Sequence, residues 1–187
     1  MQNHFARFSL PLRYAVDLAA LERAYTQLSF ELHPDFMASA PAEERKRAQQ
    51  AAAELNEGYT TLRSEPERAA YLLALLAEQA QASGRLAPGL KLSSEALPEG
   101  FLQEMFVLQE EVDEAVGNES AAAALRDQVA ARHRDTLAGR PALFERAAGS
   151  LAAGSQAAAD LQAIQSNLNQ EKYLLRLLDR LAPRSAA

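Results

Sequence analysis

A histidine, a proline and an aspartate stand next to one another at His33-Pro34-Asp35. An imidazole and a carboxylate on either side of a fixed φ suit a rigid polar contact, because proline stiffens the backbone and disfavours helix in the residue before it. The tripeptide is expected by chance in roughly one chain in a hundred of this length, so its meaning depends on its setting. Alone, it caps a helix and opens a turn; held between two packed helices, it is a docking element. Arg45, Lys46 and Arg47 form the densest basic run, which is either a solvated helix face or a contact for an acidic partner surface. Glu110-Glu111 and Asp113-Glu114 form an acidic cluster. Without a Glu-x-x-His motif, these carboxylates do not make a di-iron bundle, and they are expected to face solvent or a partner.

Several chemistries are disfavoured from the outset. The chain has no cysteine, which removes thiolate metal sites, cysteine nucleophiles and disulfides. Histidines 4, 33 and 133 are widely separated and lack the i, i+4 spacing that sets two ligands on one helix face, so no metal and no cofactor is expected. Neither a phosphate-binding glycine loop nor a G-x-S-x-G elbow is present, and no enzyme activity is expected. A net charge of −6 opposes broad attraction to nucleic acid or anionic lipid. The N-terminal segment MQNHFARFSLPLRY resembles neither a signal peptide nor a presequence, and no run of about eighteen uncharged apolar residues occurs. The expected location is the bacterial cytoplasm.

The elements that position these residues are helices. Asp17 is placed to cap a helix in which Leu18, Leu21, Tyr25, Leu28 and Leu32 recur at three- and four-residue steps. Pro34 ends that helix near His33. Pro41 opens a second helix running to about Arg63, with Ala48, Ala52, Leu55, Tyr59 and Leu62 inward. Two such helices pack antiparallel and hold the tripeptide at the tip of a hairpin. Ser64 and Glu67 have capping-box spacing before a third helix to about Ala82. Proline, glycine and serine interrupt the pattern over residues 83–97, which is expected to be a linker between a domain over 1–82 and another over 98–187. In the second domain, three helices are expected, from Pro98 to about Val116, Asn118 to about Ala138 and Pro141 to Leu181, with Gly139-Arg140-Pro141 as the last break. Gly149 and Gly154 weaken the start of the last of these and offer a break of it into two pieces. On the first of the three, Phe101, Met105, Leu108 and Val112 complete a buried stripe. Leu102, Phe106 and Val107 are left over, either to face another helix or to meet a partner.

The segments LSFELHPDFMAS, LNEGYTTLRSEPERAAYLLALL and FLQEMFVLQEEVDEAVG together resemble the HscB family, J-type co-chaperones of iron–sulfur cluster assembly. The resemblance implies an all-α chain, with an N-terminal J-domain hairpin and flanking helices followed by a C-terminal three-helix bundle. It further implies two partners: the DnaK-type chaperone HscA, whose ATPase is stimulated, and the scaffold protein IscU, which is delivered to it. Chaperone contact then falls to His33, Pro34 and Asp35, with Arg23, Arg45, Lys46 and Arg47 assisting. Client contact falls to Leu102, Gln103, Phe106, Val107, Glu110, Glu114 and Tyr173. Gln103 and Val107 depart from the family's usual apolar and acidic residues there, and Phe36 replaces a common lysine. Arg23 is the only cation on its helix, a pattern that favours a dedicated chaperone over a general one. A different client, or a helical adaptor without chaperone activity, is the alternative.

Overall fold

The computed structural model describes residues 2–32, 41–86, 92–93, 95–115, 117–155 and 157–182. Among these there are seven helices and no strand. They fall into two compact units, Met1–Ala74 and Leu75–Ala187.

The first unit holds α1 (His4–Arg7), α2 (Leu18–Glu31), α3 (Ala42–Arg63) and the opening turns of α4 (Glu65–Ala82). Asp17 caps α2 by accepting from the backbone N–H groups of Ala19 and Ala20. The Tyr59 hydroxyl of α3 donates to Glu22, and the Tyr25 hydroxyl of α2 donates to Asn56 at 2.9 Å. Partners that descend along α3 as α2 ascends make the hairpin antiparallel. Leu18, expected inside, is 50% exposed because this register sets it against Arg63, where α3 ends.

The short α1 escapes a periodicity argument. It is capped by the Asn3 side chain, which accepts from Ala6 N–H at 2.9 Å, and it buries Phe5 and Phe8. His4 stacks on Tyr71 of α4 at 4.5 Å between ring centroids and lies against Gly58 of α3. A Cβ at position 58 would stand 2.9 Å from His4 Nδ1, so glycine is what lets the imidazole approach the helix this closely. That Nδ1 is buried without a hydrogen-bond partner.

Burial holds the His4 imidazole below its ordinary value of 6.5; Glu57 and Glu54 of α3 oppose the shift and Arg7 of α1 adds to it. The unfolded chain therefore takes up a proton before the folded one. The contribution of His4 to stability is complete above about pH 6.5 and is lost as pH falls below that value. In His4→Phe a ring remains and the proton site is gone, so wild type should lose urea resistance relative to the variant on acidification. Parallel pH profiles of the two urea midpoints would refute this.

The second unit contains the end of α4, then α5 (Phe101–Glu114), α6 (Glu119–Ala152) and α7 (Ala158–Arg180). Part of the stretch read as a linker is bonded within this unit. Ala157 N–H donates to the Arg85 carbonyl at 3.3 Å, Ser93 N–H to Gln162 at 3.1 Å, and the Asn169 side-chain amide to the Ala96 carbonyl at 3.0 Å. Leu76 and Ala80 at the end of α4 are buried. Phe101, Met105, Leu108 and Val112 of α5 form the core with Val129 of α6, Leu174 and Leu177 of α7, and Leu181, which caps α7.

The expected break at Gly139-Arg140-Pro141 does not occur, because α6 runs through it. Pro141 removes one backbone donor, but packing and a polar anchor outweigh that loss. The Arg140 side chain is 0% exposed. Its Nε donates to Asn167 at 2.7 Å and an Nη donates to Glu171 at 2.7 Å, both on α7. Phe144, Ala147 and Leu151 continue the same buried face. The chain reverses after Ala152, at the break that Gly154 offers in the sequence, and Gly154 takes a φ of +77°, a left-handed value that an L side chain resists.

Candidate functional site

His33, Pro34 and Asp35 lie outside the described residues, as does Phe36. What flanks them is clear: α2 stops at Glu31 with Leu32 as its C-cap, and α3 resumes after Pro41. Arg23 is exposed on α2 beside Glu22. Arg45, Lys46 and Arg47 are exposed on the second turn of α3. At about 100° per residue they spread round the helix instead of forming one basic stripe.

On α5 the division expected from the sequence is present. Phe101, Met105, Leu108, Val112 and Ala115 are buried. Leu102, Phe106 and Val107 are 54%, 63% and 52% exposed, and Gln103, Glu110 and Glu114 are exposed with them. Core packing thus leaves an apolar ridge in solvent. Scattered exposed apolar residues need no explanation, whereas Leu102 and Phe106, one turn apart, with Val107 further round the helix, make this face the candidate for a partner contact.

Neighbouring helices hold this ridge from both sides. Arg132 of α6 pairs with Glu104 and places its guanidinium 5.7 Å from the Phe101 ring centroid. Tyr173 of α7 is half-buried and meets Phe101 edge-on, with centroids 5.8 Å apart, while Arg180 pairs with Asp113 further along. Tyr173 is thereby brought beside the N-terminal end of α5, where Leu102 and Phe106 emerge. Sequence reasoning missed Lys172 and Arg176, exposed on α7 next to Tyr173. Their spacing of four residues was legible as one face, but its proximity to α5 required the register of the two helices.

Among the described residues, no group of His, Asp or Glu is arranged to hold a metal. No described helix is long and apolar enough to cross a membrane.

Residues 97–182 match the family model described as the HSCB C-terminal oligomerisation domain. The co-chaperone protein HscB homolog of Bordetella pertussis is 38% identical over 141 residues, covering 72% of this chain and 76% of that protein. The homolog of Aromatoleum aromaticum is 40% identical over 114 residues, a span of 61% of this chain and 59% of the relative's length. Among solved structures, chaperone HscB from Vibrio cholerae superposes with a TM-score of 0.67 at 27% identity, over 96% of this chain and 95% of the other. Human co-chaperone protein HscB superposes with a TM-score of 0.68 at 19% identity, over 97% and 81%, which establishes the shared fold. Among the described residues the fold is all-helical, as in these co-chaperones. The chain belongs to the HscB co-chaperone family.

Proposed function

We propose that this protein stimulates the ATPase of the DnaK-type chaperone HscA and delivers the iron–sulfur scaffold protein IscU to it, acting in the cytoplasm and without enzyme activity of its own. A J-domain over residues 1–82 is assigned to the chaperone, residues 83–97 to the connection, and residues 98–187 to the client. The observation that carries the reading is the ridge of Leu102, Phe106 and Val107, exposed beside a complete buried stripe in the domain that matches the family model. Gln103, Glu110, Glu114 and Tyr173 complete the client surface. Arg23, Arg45, Lys46 and Arg47 support the chaperone contact made by His33, Pro34 and Asp35. The description of the family model also names oligomerisation, and we carry to this chain a capacity to self-associate through residues 97–182.

Tethering both contacts in one chain raises the effective concentration of client at the chaperone. Asp35 is the residue assigned to a charged contact, since a carboxylate accepts two parallel N–H bonds from an arginine. Steady-state ATPase assays of HscA with this protein and IscU, added separately and together, test the proposal. Stimulation should be greatest with both present and should weaken with salt. In Asp35→Asn it should vanish while IscU binding persists. Undiminished stimulation by the folded variant would remove Asp35 from its role, and no enhancement by IscU would remove the client.

A further inference from the structure

The charges around the exposed ridge of α5 fall into two kinds. Glu104 and Asp113 of α5 pair with Arg132 of α6 and Arg180 of α7, so these four tie the helices of the bundle together. Glu110 and Glu114 of α5 and Lys172 and Arg176 of α7 are exposed, and none of these four forms an ion pair among the described residues. Arg176 instead lies over the Tyr173 ring at 5.8 Å from its centroid, and that ring meets Phe101. The stacking draws the guanidinium back to the level of Phe101, and Lys172 adjoins Tyr173 in the same turn. Both cations thus stand beside the N-terminal end of α5. At about 1.5 Å of rise per residue, Glu110 and Glu114 lie about 14 and 20 Å further along that helix. Leu102 and Phe106 emerge over the interval. From one end of the ridge to the other the order is basic, apolar, acidic.

Such a polarity gives the ridge a direction, because complementary charges fix register across an interface and like charges brought together oppose the reverse docking. We propose that Lys172 and Arg176 are specificity-determining residues of the client surface: they receive carboxylates of the scaffold at one end of the ridge, while Glu110 and Glu114 receive its cations at the other. The proposal rests on the client reading given above and adds to it a basic contact and a docking direction. The Arg176 guanidinium can offer two parallel N–H groups to one carboxylate, and its stacking on Tyr173 reduces the freedom lost when that contact forms. Lys172 adds a point charge on a flexible stem. A partner that is apolar throughout, or basic throughout, leaves one end of the ridge unanswered.

Calorimetry of the full chain with IscU, at low and at raised salt, tests the basic contact. The variants are Lys172→Glu with Arg176→Glu, Arg176→Lys alone, and Phe106→Ala. All three positions are exposed, and circular dichroism checks that each variant is folded. The charge-reversed pair should bind about tenfold or more weakly than wild type at low salt. That gap should narrow as salt is added, since screening reaches exposed charges, whereas packing lost at Tyr173 would leave it unchanged. Arg176→Lys keeps the charge and should bind much closer to wild type than the reversed pair does. A reversed pair that binds like wild type, or a gap that ignores salt, overturns the proposal. Phe106→Ala shows how far the failure reaches: weakened binding there keeps the client face and strikes only the basic contact, while unchanged binding removes the client face and the proposal with it. A reversed pair with unchanged scaffold affinity but weaker stimulation of HscA in the absence of scaffold would give the basic end to the chaperone and overturn the proposal too.

Discussion

Replacing Arg140 by alanine is expected to lower the unfolding free energy of the second unit by about 3–5 kcal/mol, the range for breaking a buried ion pair from one side. The guanidinium is fully buried, and its partners are nearly so: Glu171 and Asn167 are 6% and 7% exposed. Alanine leaves the Glu171 carboxylate facing a cavity without its guanidinium, with the His133 ring nitrogen at 3.4 Å among the described residues. The Asn167 oxygen loses its donor, although the amide still donates to the Thr136 carbonyl at 2.9 Å. An unpaired buried carboxylate is the larger cost. A double variant, Arg140→Met with Glu171→Leu, removes both charges and fills much of the space, so it should recover most of the loss. Urea denaturation of the full chain followed by circular dichroism measures both. A single variant within about 1 kcal/mol of wild type would mean that water already solvates the pair.

The same arginine explains where the sequence could and could not be read. Gly139-Arg140-Pro141 carries every local signal of a helix end, and local signals were all that could be weighed. The counterweight lies on α7, at sequence separations of 27 and 31 residues, and no periodicity within α6 announces it. By contrast, the buried stripe of α5 recurs within a single helix, so its spacing was sufficient to separate Phe101, Met105, Leu108 and Val112 from Leu102 and Phe106. Asp17 likewise caps α2 through contacts two and three residues away. The four-residue α1 was too short to show a pattern. Its place depends on Gly58 and Tyr71, both remote in sequence.

The two sides of α5 should respond oppositely to truncation. With Leu102 and Phe106 both changed to alanine, affinity for the scaffold should fall by roughly thirtyfold or more, corresponding to about 1 kcal/mol or more from each of two interface anchors. Stability should change little. Both side chains are more than half exposed, so their removal opens no cavity against Met105 or Leu108, and alanine is the better helix former at each position. Met105→Ala is the matching control: it is 5% exposed, and its loss should cost about 2–5 kcal/mol of stability. Stimulation of the chaperone ATPase without scaffold should persist in the double variant, because His33, Pro34 and Asp35 are untouched, whereas the added stimulation with scaffold should diminish. Calorimetry measures the affinity and circular dichroism the thermal midpoint of the same preparation. Unchanged affinity would place the client elsewhere on the chain. A fall in midpoint as large as that of Met105→Ala would show that the ridge supports the bundle and not a partner.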